Sequence, residues 1–286
     1  MNDVYDVWFS LIDINNESKV KILNNIDSKI IWNLKYEEFF QYGLKANQIS
    51  KILDVKYKTV LEKYYNYLEK NNIKLICFKD KEYPRILKNI NNFPVFLYVR
   101  GNLNNLYDDN VAIIGSRNAS EYGKYVARKI SKEIADKNVN VVSGLALGID
   151  KYAHLGCLDS NIGRTIAVLG TGVSNQEIYP LQNKKVFERI LENEGTIVSE
   201  FKIGTKPEKY NFPLRNRIIS GLSKKVIVVE AEENSGSLIT VNYALEQGKD
   251  IYAIPGNINS KTSKGTNKLI MEGAILLDNI DIIFEI

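Results

Sequence analysis

The sequence predicts a doubly wound α/β domain preceded by a small helical domain. In the first third of the chain, apolar residues such as Val4, Val7, Trp8 and Leu11 recur at helical spacing. From about Ile73 onward, short apolar runs are followed by Gly or Ser and then by an amphipathic segment, which is typical of βαβ units. With 44% hydrophobic and 25% charged residues among 286, the chain has the composition of a folded protein.

Each short apolar run is predicted to be a strand. Nearly all are continuously apolar, which favours parallel strands buried on both faces. The runs are 74–78, 95–99, 111–114, 139–142, 165–169, 196–198, 226–229, 251–254 and 274–277, with helices between them at 124–137, 184–193 and 238–248. We therefore expect a helical domain at 1–72, a junction with the first strands at 73–110, and the main α/β domain at 111–286.

Composition and motifs narrow the function. No stretch approaches the roughly 18 apolar residues of a spanning helix, and no basic-then-apolar leader opens the chain, so we expect a cytoplasmic protein without membrane contact. Cys77 and Cys157 lie outside any CxxC spacing, which predicts reduced thiols and no metal site. HExxH, GxSxG and paired-carboxylate patterns are absent from the sequence, and the single histidine, His154, is expected to be packed. We therefore expect no catalytic residues and no cofactor.

Charge is distributed unevenly along the chain. Of 38 basic and 34 acidic residues, 16 and 12 lie in residues 1–105, which leaves 22 of each for residues 106–286. The larger part is therefore neutral overall. An anion site there must be built locally, by clustered side chains and backbone amides.

The residues directly after the predicted strands carry the binding chemistry, because ligands of open α/β sheets bind beyond the carboxyl ends of the strands. Gly115, Ser116 and Arg117 follow the strand at 111–114 and place a hydroxyl and a guanidinium at the start of the next helix. A strand-to-helix turn with an incidental arginine is the alternative explanation.

A second loop follows the strand at 139–142. Its small residues are predicted to let backbone N–H groups approach an anion at a helix N-terminus. They are Ser143, Gly144, Ala146 and Gly148. Asp150, at the end of the same loop, is expected to cap the helix.

Two further loops supply glycines and hydroxyls. Gly170 and Gly172 begin like a dinucleotide fingerprint, but the third glycine is missing, so NAD is not favoured. Ser235 and Gly236 precede the helix predicted at 238–248, and simple capping is their alternative explanation.

The most specific segment is 212–222, FPLRNRIISGL. Pro213 is predicted to begin a helix. The polar residues of its first turn would be Arg215, Asn216 and Arg217. Two arginines at a helix N-terminus are electrostatically unfavourable, and a phosphate would offset that cost. The alternative is that they pair with Glu200 or Glu230.

Together these residues resemble the DNA-processing protein A (DprA, or Smf) family. The matching pieces, in order, are YPRIL at 83–87, VRGNL at 99–103, IGSR at 114–117 with Ser120, Tyr122 and Gly123, SGLALGID at 143–150, Ala153-His154, TIAVLGTG at 165–172 with Tyr179-Pro180, Ser199-Glu200, 212–222, VEA at 229–231, SGSLIT at 235–240, and Pro255-Gly256. An ordered series that spans roughly 82–286 is very specific, whereas the N-terminal helices match only in character.

The resemblance implies a helical, SAM-like domain on an extended Rossmann-like, mainly parallel sheet. It also implies binding of single-stranded DNA without sequence preference, dimerisation, and transfer of incoming DNA to the RecA recombinase during natural transformation, with single-strand-binding protein as a further partner. The implied DNA pocket comprises Gly115, Ser116, Arg117, the 143–148 loop, Arg215, Asn216 and Arg217, to which we add Gly170, Gly172, Ser235 and Gly236. The implied dimer contact comprises Leu269, Ile270 and Leu276.

Two departures from the family pattern affect these expectations. Family members often carry a basic residue just after Tyr-Pro, where this chain has Leu181, so Lys184 or Lys185 is expected to replace it. Many relatives append a C-terminal winged helix, which we do not expect in a chain that stops at position 286.

The sequence thus predicts a non-enzymatic single-strand DNA binder that protects incoming DNA and loads the recombinase. Arg117, Arg215 and Arg217 would neutralise phosphates, and Tyr179 or Phe212 would stack on bases. The enzymatic alternative is a nucleoside-monophosphate phosphoribohydrolase of the lysine-decarboxylase-like Rossmann family. That family's PGGxGTxxE motif is absent, and Glu230 is the nearest equivalent of its acidic partner.

Overall fold

The first third of the chain is helical, as its apolar spacing predicts. The computed structural model describes residues 3–55 and 58–285, with the backbone alone at 58–60, so the outer ends of the predicted domains lie outside the described residues. The helices are α1 (Val4–Ser10), α2 (Asn16–Asn25), α3 (Ser28–Asn33), α4 (Ala46–Asp54) and α5 (Lys58–Lys70), with a 3-10 helix at Tyr36–Tyr42. Asp3 and Asn15 cap α1 and α2 by accepting first-turn backbone N–H groups.

A nine-stranded sheet follows, with one strand at each predicted apolar run. The strands are β1 (Ile73–Cys77), β2 (Phe96–Gly101), β3 (Asn110–Ile114), β4 (Asn140–Ser143), β5 (Thr165–Val168), β6 (Thr196–Ser199), β7 (Lys225–Val228), β8 (Asp250–Ala253) and β9 (Ile275–Leu276). Their order across the sheet is β1-β2-β6-β5-β4-β3-β7-β8-β9. The strands from β3 to β9 pair in parallel, whereas β2 is antiparallel to both β1 and β6 and extends the sheet.

The strand order reverses at β3. The chain winds outward through β4, β5 and β6, then returns to pair β7 on the other side of β3 and continues through β8 and β9. In open α/β sheets, a crevice forms beyond the carboxyl ends of the strands where the winding reverses. The expected ligand position is therefore beyond Ile114 of β3 and Val228 of β7.

Helices cover both faces of this sheet, which confirms the doubly wound α/β prediction. They are α6 (Glu121–Asp136), α7 (Ile149–Cys157), α8 (Lys184–Glu192), α9 (Asn211–Gly221), α10 (Ser237–Glu246) and α11 (Lys264–Met271), with 3-10 turns at Arg85–Asn89, Leu103–Leu106, Leu181–Asn183, Lys261–Ser263 and Ile280–Ile283. Alternate residues of one strand point to opposite faces. Accordingly, Val111 and Ile113 pack in the cluster with α6 and α7, whereas Ala112 and Ile114 pack in the cluster with α9 and α10.

The helical first third and the sheet share one apolar core. The Phe9 ring of α1 lies 6.3 Å from that of Phe96 on β2, and both belong to the same buried cluster. The hydroxyls of Ser10 and Tyr98 lie 2.6 Å apart in this contact. The buried apolar core is therefore continuous across residue 72, where the sequence predicts the end of the helical domain.

The free thiols of Cys77 and Cys157 are buried, and burial raises the pKa of each to about 12. Thiols with such pKa values carry little thiolate at neutral pH. Across residues 3–55 and 58–285, no helix combines the length and apolar character needed to cross a membrane.

Candidate functional site

A cavity of about 360 Å³ lies at the crevice between β3 and β7. Its lining is Ile114, Gly115, Ser116, Arg117, Asn118, Ala146, Asp150, Phe212, Pro213, Arg215, Asn216, Ile219, Glu232, Ser235, Gly236, Ser237, Ile239 and Thr240. The topology alone predicts this position, and residues from four separate sequence segments meet there. Eight of the residues predicted to bind DNA line the cavity, namely Gly115, Ser116, Arg117, Ala146, Arg215, Asn216, Ser235 and Gly236.

Arg117 is the exposed cation of the cavity. Its guanidinium carbon lies 5.7 Å from the centre of the Phe212 ring, a cation–π arrangement. Within the part of the chain that the structure describes, Arg117 forms no ion pair and its side chain makes no hydrogen bond with the protein. The guanidinium therefore keeps its hydrogen-bond donors for a ligand.

The turn that carries Arg117 is fixed by Glu230. The backbone N–H of Ser116 donates to the carbonyl oxygen of Glu230 at 2.7 Å, and the Glu230 carboxylate accepts the backbone N–H of Ser120 at 2.9 Å. The hydroxyls of Ser120 and Thr262 also donate to this carboxylate. Glu230 is not among the residues that line the cavity, and its carboxylate holds this turn in place.

The loop after β4 holds an internal carboxylate where the sequence predicts an external anion. Backbone N–H groups of Gly144 and Ala146 donate to Oδ2 of Asp150 at 3.1 and 3.4 Å. The helix α7 is capped by Gly148, and Asp150 is its second residue, so the expectation that Asp150 is the cap is wrong. Burial raises the pKa of Asp150, while Arg215 opposes this shift.

Ser143 lies inside the sheet rather than at the cavity. Its side chain is fully buried, and its hydroxyl donates to the carbonyl oxygen of Ile113 at 2.7 Å. Ser143 therefore joins β4 to β3 and offers no hydroxyl to a ligand in this arrangement.

Arg215 forms part of the cavity floor. Its Nη1 donates to the carbonyl oxygens of Gly144, at 2.7 Å, and of Val168. Burial lowers the pKa of Arg215 to about 10, and nearby Asp150 limits the decrease. The guanidinium remains the principal positive charge beneath the cavity, although only 3% of the residue is exposed.

Arg217 points away from the cavity, which corrects its predicted place in the phosphate site. Nη1 and Nη2 each lie 2.6 Å from a carboxylate oxygen of Glu200, and Nε donates to the carbonyl oxygen of Asn92. The helix begins at Asn211, two residues before the predicted Pro213. At about 100° per residue, positions 215 and 217 lie about 200° apart, so one helix presents its two arginines to opposite sides. The alternative pairing with Glu200 is confirmed.

The far wall of the cavity is formed by α9 and the start of α10. Nδ2 of Asn216 donates to the carbonyl oxygen of Gly236 at 3.5 Å, and the hydroxyls of Ser235 and Ser237 lie 2.8 Å apart. Gly236 is exposed and is the N-cap residue of α10. This wall therefore offers hydroxyls and a helix N-terminus to the cavity.

Gly170, Gly172 and Lys184 are not among the cavity-lining residues. A side chain at Gly170 would press against the Phe212 ring, and one at Gly172 would overlap the Glu177 carboxylate, so these glycines serve internal packing. Lys184 is exposed on α8 and lies 3.9 Å from Glu188.

A smaller recess of about 50 Å³ adjoins the cavity and shares Arg117, Ala146, Phe212 and Arg215 with it. Tyr179 forms its far side, with its ring centre 5.5 Å from that of Phe212. Two aromatic rings therefore lie beside Arg117, and their stacking on bases stays a prediction.

His154 is packed, as predicted, and it supports the loop after β4. The backbone N–H of Leu145 donates to Nε2 at 3.3 Å, so Nδ1 carries the proton toward Thr165 Oγ1, 2.6 Å away. Leu145 has a φ of 54°, which a side-chain-bearing residue rarely adopts. Burial lowers the pKa of His154 to about 3, so the ring is neutral at physiological pH.

Sequence reasoning missed several cavity residues. Asn118, Glu232, Ile239 and Thr240 line the cavity, yet none follows a strand directly in the sequence. Their positions within the loops and helix starts already identified were the available signal. The predicted dimer residues lie far along the chain, with Leu269 and Ile270 half-buried on α11 and Leu276 exposed on the edge strand β9.

Comparison with known proteins identifies the family. The family model described as DNA recombination-mediator protein A matches residues 74–286. The chain belongs to this family. It is 40% identical over 266 residues to the DNA processing protein DprA of Streptococcus pneumoniae, which covers 91% of this chain and 93% of that protein. Protein Smf of Escherichia coli is 42% identical over 245 residues, and the match spans only 64% of that longer protein.

Solved structures agree with this assignment. The X-ray structure of DprA from Streptococcus pneumoniae superposes with a TM-score of 0.85 at 33% identity, and the match covers 99% of this chain and 98% of that one. DNA processing protein A from Helicobacter pylori, described for its single-stranded DNA binding mode, gives a TM-score of 0.66 at 31% identity over 73% of this chain and 93% of that one. The streptococcal match covers nearly the whole chain, so the likeness to that structure extends through the helical first third.

Proposed function

We propose that this protein binds single-stranded DNA without sequence preference at the cavity between β3 and β7, and that it acts in DNA uptake as a recombination mediator. The observation that carries the proposal is Arg117, an exposed guanidinium that forms no ion pair among the described residues and stacks on Phe212 beside a cavity whose floor is Arg215. A phosphate is the ligand that this arrangement suits.

The neighbouring rings favour single-stranded rather than duplex DNA. Phe212 and Tyr179 lie beside the guanidinium, and Tyr179 is 46% exposed. Unpaired bases stack on such rings with little regard to sequence, whereas bases within a duplex are inaccessible to them. The single-stranded DNA binding described for the Helicobacter pylori relative supports the same ligand.

The remaining parts of the proposal rest on family membership. We propose that the protein forms a homodimer through Leu269, Ile270 and Leu276, protects incoming DNA, and delivers it to a RecA-type recombinase, with single-strand-binding protein as a further partner. It would do so without catalysing a reaction. Glu230 supports this view because its carboxylate is occupied by Ser120 and Thr262.

Replacement of Arg117 by alanine tests the proposal. Charge-assisted hydrogen bonds contribute about 1.5–3 kcal/mol, so R117A should weaken binding of a labelled single strand about 10- to 150-fold, equally for all sequences. Fluorescence anisotropy of R117A across a salt series should also show a less steep dependence of log Kobs on log[salt]. The magnitude of this slope should fall by about 0.7 for each lost phosphate contact.

Arg164 provides a matched control. It precedes β5 at the opposite edge of the sheet and already pairs with Glu194 at 3.0 Å. R164A should bind single-stranded DNA like the unaltered protein. Unchanged affinity of R117A, or equal losses in both variants, would reject the cavity as the binding site.

A further inference from the structure

The helix α6 begins at the rim of the cavity and presents an unusual outer face. Its first turns carry Tyr122 and Tyr125, which are 56% and 65% exposed. The next exposed residues on the same face are Lys129 and Lys132, of which Lys132 is already paired with Asp136 one turn further on. At 1.5 Å per residue, the stripe from Tyr122 to Lys132 runs about 15 Å away from the cavity.

The start of α6 is held rigidly beside the cavity. Ser120 caps the helix by accepting the backbone N–H of Gly123 at 3.0 Å, and its own N–H and hydroxyl donate to the Glu230 carboxylate. Ser116, whose N–H bonds the carbonyl oxygen of the same Glu230, lines the cavity. The backbone at the start of α6, including Tyr122, is therefore held relative to Arg117 by part-buried hydrogen bonds to Glu230.

A second basic segment meets the same helix start. The hydroxyl of Thr262 donates to Oε1 of Glu230 at 3.1 Å, and this oxygen also accepts the hydroxyl of Ser120. The neighbouring Lys261 is exposed. Among residues 3–55 and 58–285 no acid pairs with Lys261, so its charge is available beside the contact between Thr262 and Glu230.

Contacts among the described residues do not explain why Tyr122 and Tyr125 occupy exposed positions. In the described part of the chain, neither the Tyr122 nor the Tyr125 side chain makes a hydrogen bond or a ring–ring contact. Lys129 has only a long, 3.9 Å approach to Glu133. Two exposed rings followed by a lysine on one helix face are features of the surfaces on which successive bases stack while cations follow the backbone.

We propose that the single strand held at the cavity continues along a surface formed by Tyr122, Tyr125, Lys129 and Lys261, which we name the α6 track. This inference rests on the proposed binding of single-stranded DNA at the cavity. Continuity with the cavity rim and the positive charge of the two lysines select a nucleic acid strand as the occupant. Bases stack on the two rings, and the lysines neutralise the phosphates beyond Arg117.

A length series of labelled oligothymidylates tests the α6 track. For a strand just long enough to fill the cavity, the double variant Y122A/Y125A should bind as the unaltered protein does. For longer strands the affinity should fall, by roughly fivefold or more for each stacked base. Y122F/Y125F keeps both rings and should bind like the unaltered protein at every length.

Tyr107 provides the control for an exposed tyrosine elsewhere. It is 45% exposed and precedes β3, at the opposite edge of the sheet from the cavity. Y107A should leave the length series unchanged, and thermal unfolding of every variant verifies that it is folded. Photocrosslinking to a strand containing 5-iodouracil, followed by peptide mapping, should mark the segment containing Tyr122 and Tyr125.

The outcomes separate the two proposals. If R117A loses binding at all lengths while Y122A/Y125A matches the unaltered protein at all lengths, the α6 track is rejected and the cavity site stands. If R117A binds single strands normally, the cavity is rejected as the binding site, and the α6 track that continues from it is rejected as well. If Y122A/Y125A loses affinity only for the longer strands and the crosslink maps to α6, the track is established.

Discussion

The inner and outer sides of the cavity differ in how far their polar groups are already used. On the inner side, the amides of Gly144 and Ala146 bind Asp150, and Arg215 binds two main-chain carbonyls. On the outer side, Arg117 has no such partner among the described residues. Buried polar groups must be satisfied within the protein, so the inner side shapes the cavity and the outer side is left to contact a ligand.

The same contrast separates the arginines that the sequence groups together. Arg117 is exposed and stacks on Phe212, whereas Arg217 is 2% exposed and pairs with Glu200. We therefore expect Arg117 to govern binding and Arg217 to govern folding stability. Substitutions whose effects on stability and on binding are measured separately test this contrast.

The largest effect is expected at Arg217. R217A leaves the Glu200 carboxylate, whose side chain is only 10% exposed, without its partner. This loss should lower the free energy of unfolding by about 3–5 kcal/mol. R117A removes an exposed side chain and its cation–π contact with Phe212, and should change it by no more than about 1 kcal/mol. Urea denaturation of both variants measures the difference.

An exposed ion pair provides the control for this prediction. Lys224 pairs with Asp109 at the surface, where such pairs contribute about 0–1 kcal/mol, so K224A should be nearly neutral. A stable R217A variant that binds DNA weakly would instead return Arg217 to the binding site and overturn its structural assignment.

The fold was predictable because its signals are local in the sequence. The hydrogen-bond or ion-pair partner of each polar group was not predictable in this way. Every predicted strand is present, since a buried parallel strand is a continuous apolar run in the sequence. The partner of Arg217, by contrast, depends on where α9 begins and on where β6 places Glu200. The residues next to Arg217 in the sequence determine neither position. Likewise, a glycine-rich loop looks the same in sequence whether its amides bind phosphate or Asp150.

The second largest effect on stability is expected at one of two glycines, Gly148 and Gly236, that the sequence analysis assigns alike to the DNA pocket. Gly148 has a φ of 72°, and a side chain there would overlap the carbonyl oxygens of Ser116 and Arg117. Gly236 has ordinary helical angles and open space around it. G148A should therefore lower the free energy of unfolding by roughly 1–3 kcal/mol, and G236A should change it by less than about 0.5 kcal/mol.

Thermal or urea unfolding of the two alanine variants measures this difference directly. G236A also serves as the control for any general effect of alanine at a helix start. Equal destabilisation by the two substitutions would show that the close approach of the loop after β4 to the Arg117 turn does not constrain the cavity.

The smallest expected effect concerns the inner side of the cavity and its dependence on pH. Burial, and to a lesser extent Arg215, lowers the pKa of His154 from an ordinary 6.5 to about 3 in the folded protein. Between these values the unfolded chain binds a proton that the folded protein does not, so stability falls as the pH falls below 6.5. From pH 7 to 5.5 the loss attributable to this residue should be about 1 kcal/mol.

Since His154 is the only histidine in the sequence, H154Q isolates its contribution from that of the carboxylates. The variant is expected to be less stable at pH 7, because glutamine replaces only part of the bonding to Leu145 and Thr165. Its stability should nevertheless change less between pH 7 and 5.5 than that of the unaltered protein. Parallel pH profiles for the two proteins would mean that His154 takes up a proton in the folded state, and that the loop beneath the cavity is open enough to solvate the charge.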